Sequence, residues 1–155
     1  MSNSRSDMFK VYKKVEKAGD LQKNPYEIVK LVLNELSRSM EILSDDINRK
    51  KNALLIKEKQ DIYSLQQSIS KTVTRSLTTI YSLQTSLDFE KGGEIANSLF
   101  HLYEYCRIQI IQGFTRCFNE GIIKARHALD QIIIAWSNIS LEGDSKWRIL
   151  QIILK

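Results

Sequence analysis

The sequence predicts an all-α protein: an antiparallel four-helix bundle with an N-terminal arm and a short C-terminal helix. Three observations predict it. Chain breakers are scarce, with one Pro and six Gly in 155 residues. Apolar residues recur at steps of three or four through four long stretches, the period of an amphipathic helix. No alternating strand pattern and no internal repeat interrupts them. Long amphipathic helices with short connections pack antiparallel around one core.

The first helix starts at Asn24-Pro25-Tyr26-Glu27. Asn24 can cap, Pro25 has its φ pre-set for the first helical position, and Glu27 can reach back to the cap backbone. Val29, Leu33, Leu36, Met40, Leu43 and Ile47 then make one stripe at about 100° per residue. Ala53 to Ile56, flanked by lysines, either continues this helix or forms a loop. The second helix runs from about Gln60 to Asp88 on Ile62, Ile69, Val73, Ile80, Leu83 and Leu87. Its centre is rich in Ser and Thr, weak helix formers that need tertiary packing. Gly92-Gly93 ends that segment. The third helix carries Ile95, Leu99, Leu102, Cys106 and Ile110, and Thr115 to Gly121 breaks it. The fourth carries Ile122, Ala125, Leu129, Ile132, Ile133 and Trp136. After the turn Glu142-Gly143-Asp144, a short last helix can place Trp147, Leu150 and Leu154 on one side. The expected organisation is therefore an arm at 1–23 that can cap a groove, a bundle at 24–138, and a C-terminal turn and helix at 139–155.

Composition excludes several classes. Hydrophobic residues are 43% and charged residues 26%, values of a folded domain rather than a disordered chain. The longest apolar run, Ile132 to Trp136, falls far short of the ~20 residues of a membrane span. Residues 1–10 lack the apolar core of a secretory signal, so a cytoplasmic protein without membrane insertion is expected. Two cysteines, Cys106 and Cys117, suit a reducing compartment. The net charge of +5 is of mixed sign and does not by itself specify nucleic acid.

Catalytic and metal signatures are not found. His101 and His127 sit in no HExxH or paired ExxH pattern, and the two cysteines form no CxxC. Gly92-Gly93 lacks the GxGxxG or GK[ST] context of a phosphate loop. No enzyme activity, metal or cofactor is expected.

The third helix carries the anomaly. With Ile95, Leu99 and Cys106 as the core direction, Ala96, Phe100, Tyr103, Ile111 and Phe114 lie about 80–160° round the helix. On the second helix Tyr81 lies about 100° off its stripe, with Leu77 between. An outer bundle helix needs one apolar side; this one has nearly two. Either the C-terminal helix or the arm covers the second side, or the side is a groove for another chain. Met8, Phe9, Val11, Tyr12 and Val15 make the arm a candidate cover.

The run Ser86-Leu87-Asp88-Phe89-Glu90-Lys91-Gly92-Gly93-Glu94-Ile95-Ala96, followed by Leu99 and Leu102-Tyr103-Glu104-Tyr105, resembles the signature of the flagellar export chaperone family FliS, the flagellin chaperones. Looser likenesses are Ile69-Ser70-Lys71, Asn119-Glu120, Ala135-Trp136, Pro25 with Glu27 and Ile28, and the aromatic arm. The chain departs from the family pattern at Val32-Leu33-Asn34-Glu35-Leu36, where the family has an LYDGA-like stretch. The family's TASP-like segment before Pro25 is here Leu21-Gln22-Lys23-Asn24. The stretch from Asp45 to Gln60 is longer than the family pattern by about three helical turns.

The resemblance implies a small antiparallel bundle that binds the disordered C-terminal segment of flagellin one to one. It implies that the protein prevents premature polymerisation in the cytoplasm and assists delivery to the export gate of the flagellar type III apparatus, without a nucleotide cofactor. The groove candidates are Leu77, Tyr81, Ala96, Phe100, Tyr103, Ile111 and Phe114, with Phe9 and Tyr12 as the displaceable cap. Arg107 and Lys71 are candidates to pair with client carboxylates. The alternative is a basic bundle for nucleic acid or regulation, using Lys13, Lys14, Lys17, Arg49, Lys50 and Lys51, with binding that falls steeply with salt.

Overall fold

Local chemistry sets where the helices begin and end. In the structure, a computed structural model, Lys10 and residues 25–138 are described. Four helices follow in order: α1 Pro25–Ile56, α2 Lys59–Thr85, α3 Phe89–Arg116 and α4 Glu120–Asn138. Pro25 opens α1 as expected. Phe9, Tyr12, the capping Asn24 and the C-terminal helix expected at Trp147 to Leu154 lie outside the described residues.

The undecided Ala53–Ile56 stretch is helical and completes α1, which at 32 residues is about 48 Å long. Its turn into α2 is two residues, with Lys57 in the left-handed region at φ 59°. The α3–α4 turn has Cys117 as a left-handed C-cap at φ 53°, ψ 50°, its backbone N–H donating to the Gly113 carbonyl.

Gly92-Gly93 does not end the second helix. α2 stops at Thr85, and Asp88 caps α3 by accepting from the Lys91 N–H at 3.0 Å. Gly93 is instead a kink inside α3, at φ 47° and ψ −124°. A residue with a Cβ is strained there, although nothing lies within 4 Å of where that Cβ would be. Much of the family-like run is thus structural: Leu87 is buried, Asp88 caps, Gly92 is buried, and Gly93 turns the helix so that Ala96 enters the core.

The helices form a four-sided bundle. α1 packs on α2 and α4, α3 packs on α2 and α4, and α1 and α3 lie across the diagonal. α1 and α2 share the most extensive interface; α2 and α3 meet most sparsely of the four neighbouring pairs. The α1 stripe is buried throughout, from Val29 to Ile47. α4 buries Ile122, Ala125, Leu129 and Trp136. Along α2, Thr72, Thr74, Thr78, Thr79 and Thr85 each donate a hydroxyl to the carbonyl one turn back, which keeps a hydroxyl-rich helix satisfied.

The core face of α3 differs from the sequence expectation. Ala96, Leu99, Tyr103, Cys106 and Ile110 are buried, whereas Ile95 is 53% exposed and Leu102 half-buried. The true stripe is rotated by about 40° towards the supposed second face. Ala96 and Tyr103, placed on that face from the sequence, are core residues. Burial and the neighbouring Cys106 raise the Tyr103 phenol well above its ordinary range, and burial pushes the Cys106 thiol up to about 12. Both groups stay neutral at physiological pH.

Polar ties fix the remaining seams. Between α1 and α4, Ser37 donates to Asp130 at 2.5 Å, Arg126 Nε donates to Ser37 Oγ at 3.1 Å, and Arg126 pairs with Glu41 at 3.2 Å. Asn119 donates to the Ser44 carbonyl and hydroxyl, both at 3.2 Å, holding the α3–α4 turn against the middle of α1. Gly113 is required for that turn by space: a Cβ there would meet Ile122 Cδ1 at 2.5 Å and the Phe118 carbonyl oxygen at 2.8 Å.

Candidate functional site

The sparse packing of α2 on α3 leaves a seam between them, and one hydrogen-bond chain identifies its two banks. Gln84 of α2 donates to Glu104 of α3 at 3.0 Å. Arg107 Nε donates to both Glu104 oxygens at 3.0 Å. These bonds, Arg107 first and Gln84 second, hold the Glu104 carboxyl down at about 2. At about 100° per residue, Leu77 and Tyr81 share the flank of α2 that carries Gln84. Phe100, Ile111 and Phe114 share the flank of α3 that carries Glu104 and Arg107.

Five of the seven groove candidates therefore fall on the two banks of one seam. Leu77, Phe100 and Phe114 are half-buried and pack on the edge of the core; Ile111 is also half-buried. Tyr81 is 67% exposed. Phe89 lies edge-on to Phe100 with centroids 5.8 Å apart and is itself exposed, so it extends the bank. Sequence reasoning missed Phe89 because the Gly pair was read as the end of a segment, which put Phe89 and Phe100 on different elements. Arg107 is engaged by Glu104 on its own helix, while Lys71 is exposed.

The described basic residues of the alternative reading each have a local partner. Arg49 lies 3.5 Å from Asp46, Lys50 donates to Gln66, and Lys51 sits 5.7 Å above the Phe118 ring. Lys13, Lys14 and Lys17 are outside the described residues. A separate open cleft of about 260 Å³ lies at the α3–α4 elbow, between Tyr105, Gln109, Arg116, Phe118 and Lys124. Among the described residues no group of three His, Cys, Asp or Glu side chains could hold a metal. Nor is any described helix long and apolar enough to cross a membrane.

The described residues form a small all-helical bundle with half-buried apolar side chains along the facing flanks of α2 and α3. The family model described as flagellar protein FliS matches residues 8–143. The chain belongs to that family. It is also similar to the flagellar secretion chaperone FliS of Salmonella typhimurium (strain LT2), with 33% identity over 88 residues. That alignment covers 57% of this chain and 63% of the relative, less than two thirds of the relative's length.

Proposed function

We propose that this chain is a flagellar secretion chaperone whose client is the C-terminal segment of flagellin. The client lies along the α2–α3 seam, is kept from polymerising in the cytoplasm, and is passed to a component of the export gate. The observation that carries this reading is the apolar character of both banks, with Tyr81 exposed on one and Phe100 and Phe114 at the edge of the core on the other. A disordered client loses conformational entropy on ordering, so it needs a long apolar track to offset that cost. The seam supplies such a track, and Gln84 and Glu104 supply polar partners within it. Phe9 and Tyr12 are the proposed cover of the empty seam.

The test is titration of the full chain with a flagellin carrying or lacking its C-terminal tail. Binding should require the tail. Phe100→Asp and Tyr81→Asp should each weaken it by about tenfold or more, the scale of a contact residue of the hot-spot class, with helicity retained. Tail-independent association, or affinity unchanged in both variants, would sink the proposal. Tyr103→Asp is unsuitable, because it would place a carboxylate in the core.

A further inference from the structure

The α1–α2 hairpin outreaches the rest of the bundle. The α3–α4 turn is tied to α1 at Ser44 by Asn119, and Cys117 Sγ lies 3.9 Å from the Ile47 carbonyl oxygen. From Ile47 to Ile56 α1 continues for about 14 Å beyond that level. α2 runs alongside, joined by Ser68 to Asp46 at 2.9 Å and by Lys50 to Gln66. Over this projection Ala53 and Leu65 are buried between the two helices. Leu54, Leu55, Ile56 and Tyr63 stand 47%, 75%, 65% and 67% exposed.

The apolar tip is framed by cations. Residues 49–63 hold Arg49, Lys50, Lys51, Lys57 and Lys59 against Glu58 and Asp61, a net +3, with Arg49 paired to Asp46 at 3.5 Å just below the tip. Lys51, Lys57 and Lys59 are exposed. A like-charged second copy is repelled from such a tip. Aliphatic side chains at its apex suit phosphate backbones poorly. Convex aliphatic tips with lysines on their shoulders match a surface that is anionic outside and apolar a few ångströms below.

We propose that the α1–α2 hairpin tip is a peripheral docking element for anionic lipid bilayers, with Leu55 and Ile56 entering the interface and Lys57 and Lys59 contacting the headgroups, while Lys51 stays on the Phe118 ring below the tip. The projection of about 14 Å exceeds the ~5–10 Å depth of interfacial burial, so the bundle body stays clear of the surface. This is peripheral attachment, not insertion of a spanning helix. It is independent of the client reading, because the tip and the α2–α3 seam use different residues.

The experiment is co-sedimentation of the full chain with phosphatidylcholine vesicles containing or lacking about 30% phosphatidylglycerol, so that only one of the two surfaces is anionic. Binding should require the anionic lipid and weaken with salt. Leu55→Asp with Ile56→Asp should reduce it by about tenfold or more, and Lys57→Gln with Lys59→Gln by about fivefold per charge. Leu31→Asp, a change at an apolar residue exposed elsewhere on α1, should leave it unchanged. Circular dichroism verifies folding, and flagellin-tail affinity should be the same for the tip variants. No difference between the two vesicle types, or full binding by Leu55→Asp/Ile56→Asp, overturns the proposal. So does preferential capture of a soluble polyglutamate over vesicles, which would assign the tip to an acidic protein.

Discussion

The indole of Trp136, near the end of α4, lies flat against the phenol of Tyr26 in the first turn of α1. Their ring centroids are 5.2 Å apart and their planes 10° from parallel. Trp136 Nε1 donates to the Tyr26 carbonyl oxygen at 3.2 Å, and the Tyr26 hydroxyl donates to the Trp136 carbonyl oxygen. Residues 110 positions apart are thus joined by a stack and two reciprocal hydrogen bonds, which close the α1–α4 edge of the bundle at one end. Removing the indole with Trp136→Ala should cost about 3–5 kcal/mol. Tyr26→Phe keeps the stack, loses one hydroxyl bond, and should cost about 1–2 kcal/mol. Urea unfolding of both variants measures the difference; equal losses would mean the ring stack contributes nothing.

Gly93 and Gly113 are needed for different reasons, and the difference is measurable. At Gly93 the backbone is in a region closed to most side chains while the space is open, so Gly93→Ala should cost about 1–2 kcal/mol of conformational strain. At Gly113 the backbone is helical while the space is filled, so Gly113→Ala should cost about 1–3 kcal/mol of overpacking. Ile122→Val shortens the obstructing side chain and leaves the Phe118 carbonyl oxygen in place. In a double-mutant cycle it should recover part of the Gly113→Ala loss and none of the Gly93→Ala loss.

Ser76 is fully buried on α2, and its hydroxyl has no hydrogen-bond partner among the described residues. A buried unpaired hydroxyl is a cost that an apolar replacement removes. Ser76→Ala should therefore be neutral or stabilising by up to about 1 kcal/mol, seen as a higher urea midpoint with an unchanged slope. A clear loss of stability would show that the hydroxyl is satisfied in solution.

Glu104 gives the bundle an acid-sensitive tie. Its folded-state carboxyl is lowered from 4.5 to about 2 by Arg107 and then Gln84. A lowered carboxyl favours the folded state above its unfolded value, and that contribution disappears as pH falls from about 4.5 through about 2. Thermal midpoints should fall across this window more steeply in the native protein than in Glu104→Gln, which has no carboxyl to protonate. Parallel curves would mean Glu104 is not tied in solution.

The sequence by itself determined where the four long helices run and which faces of α1 and α4 turn inward. Pro25 and the Asn119-Glu120 turn are local signals, and a single apolar stripe has only one way to face a core. The run from Ser86 to Tyr105 was legible as a family likeness but not as structure: Asp88 falls within the expected second helix and the Gly pair at its end, whereas Asp88 caps α3 and Gly93 kinks it. Tertiary structure decided the rest. α3 is apolar over more than half its circumference, so periodicity shows that it is amphipathic without fixing which sector faces inward. The Gly93 kink and the neighbours on α2 and α4 fix that rotation, sending Ala96 and Tyr103 inward and Ile95 outward. The seam and the projecting tip are likewise properties of how unequal helices meet, because they depend on the level at which Asn119 grips Ser44 and on which flanks of α2 and α3 face each other.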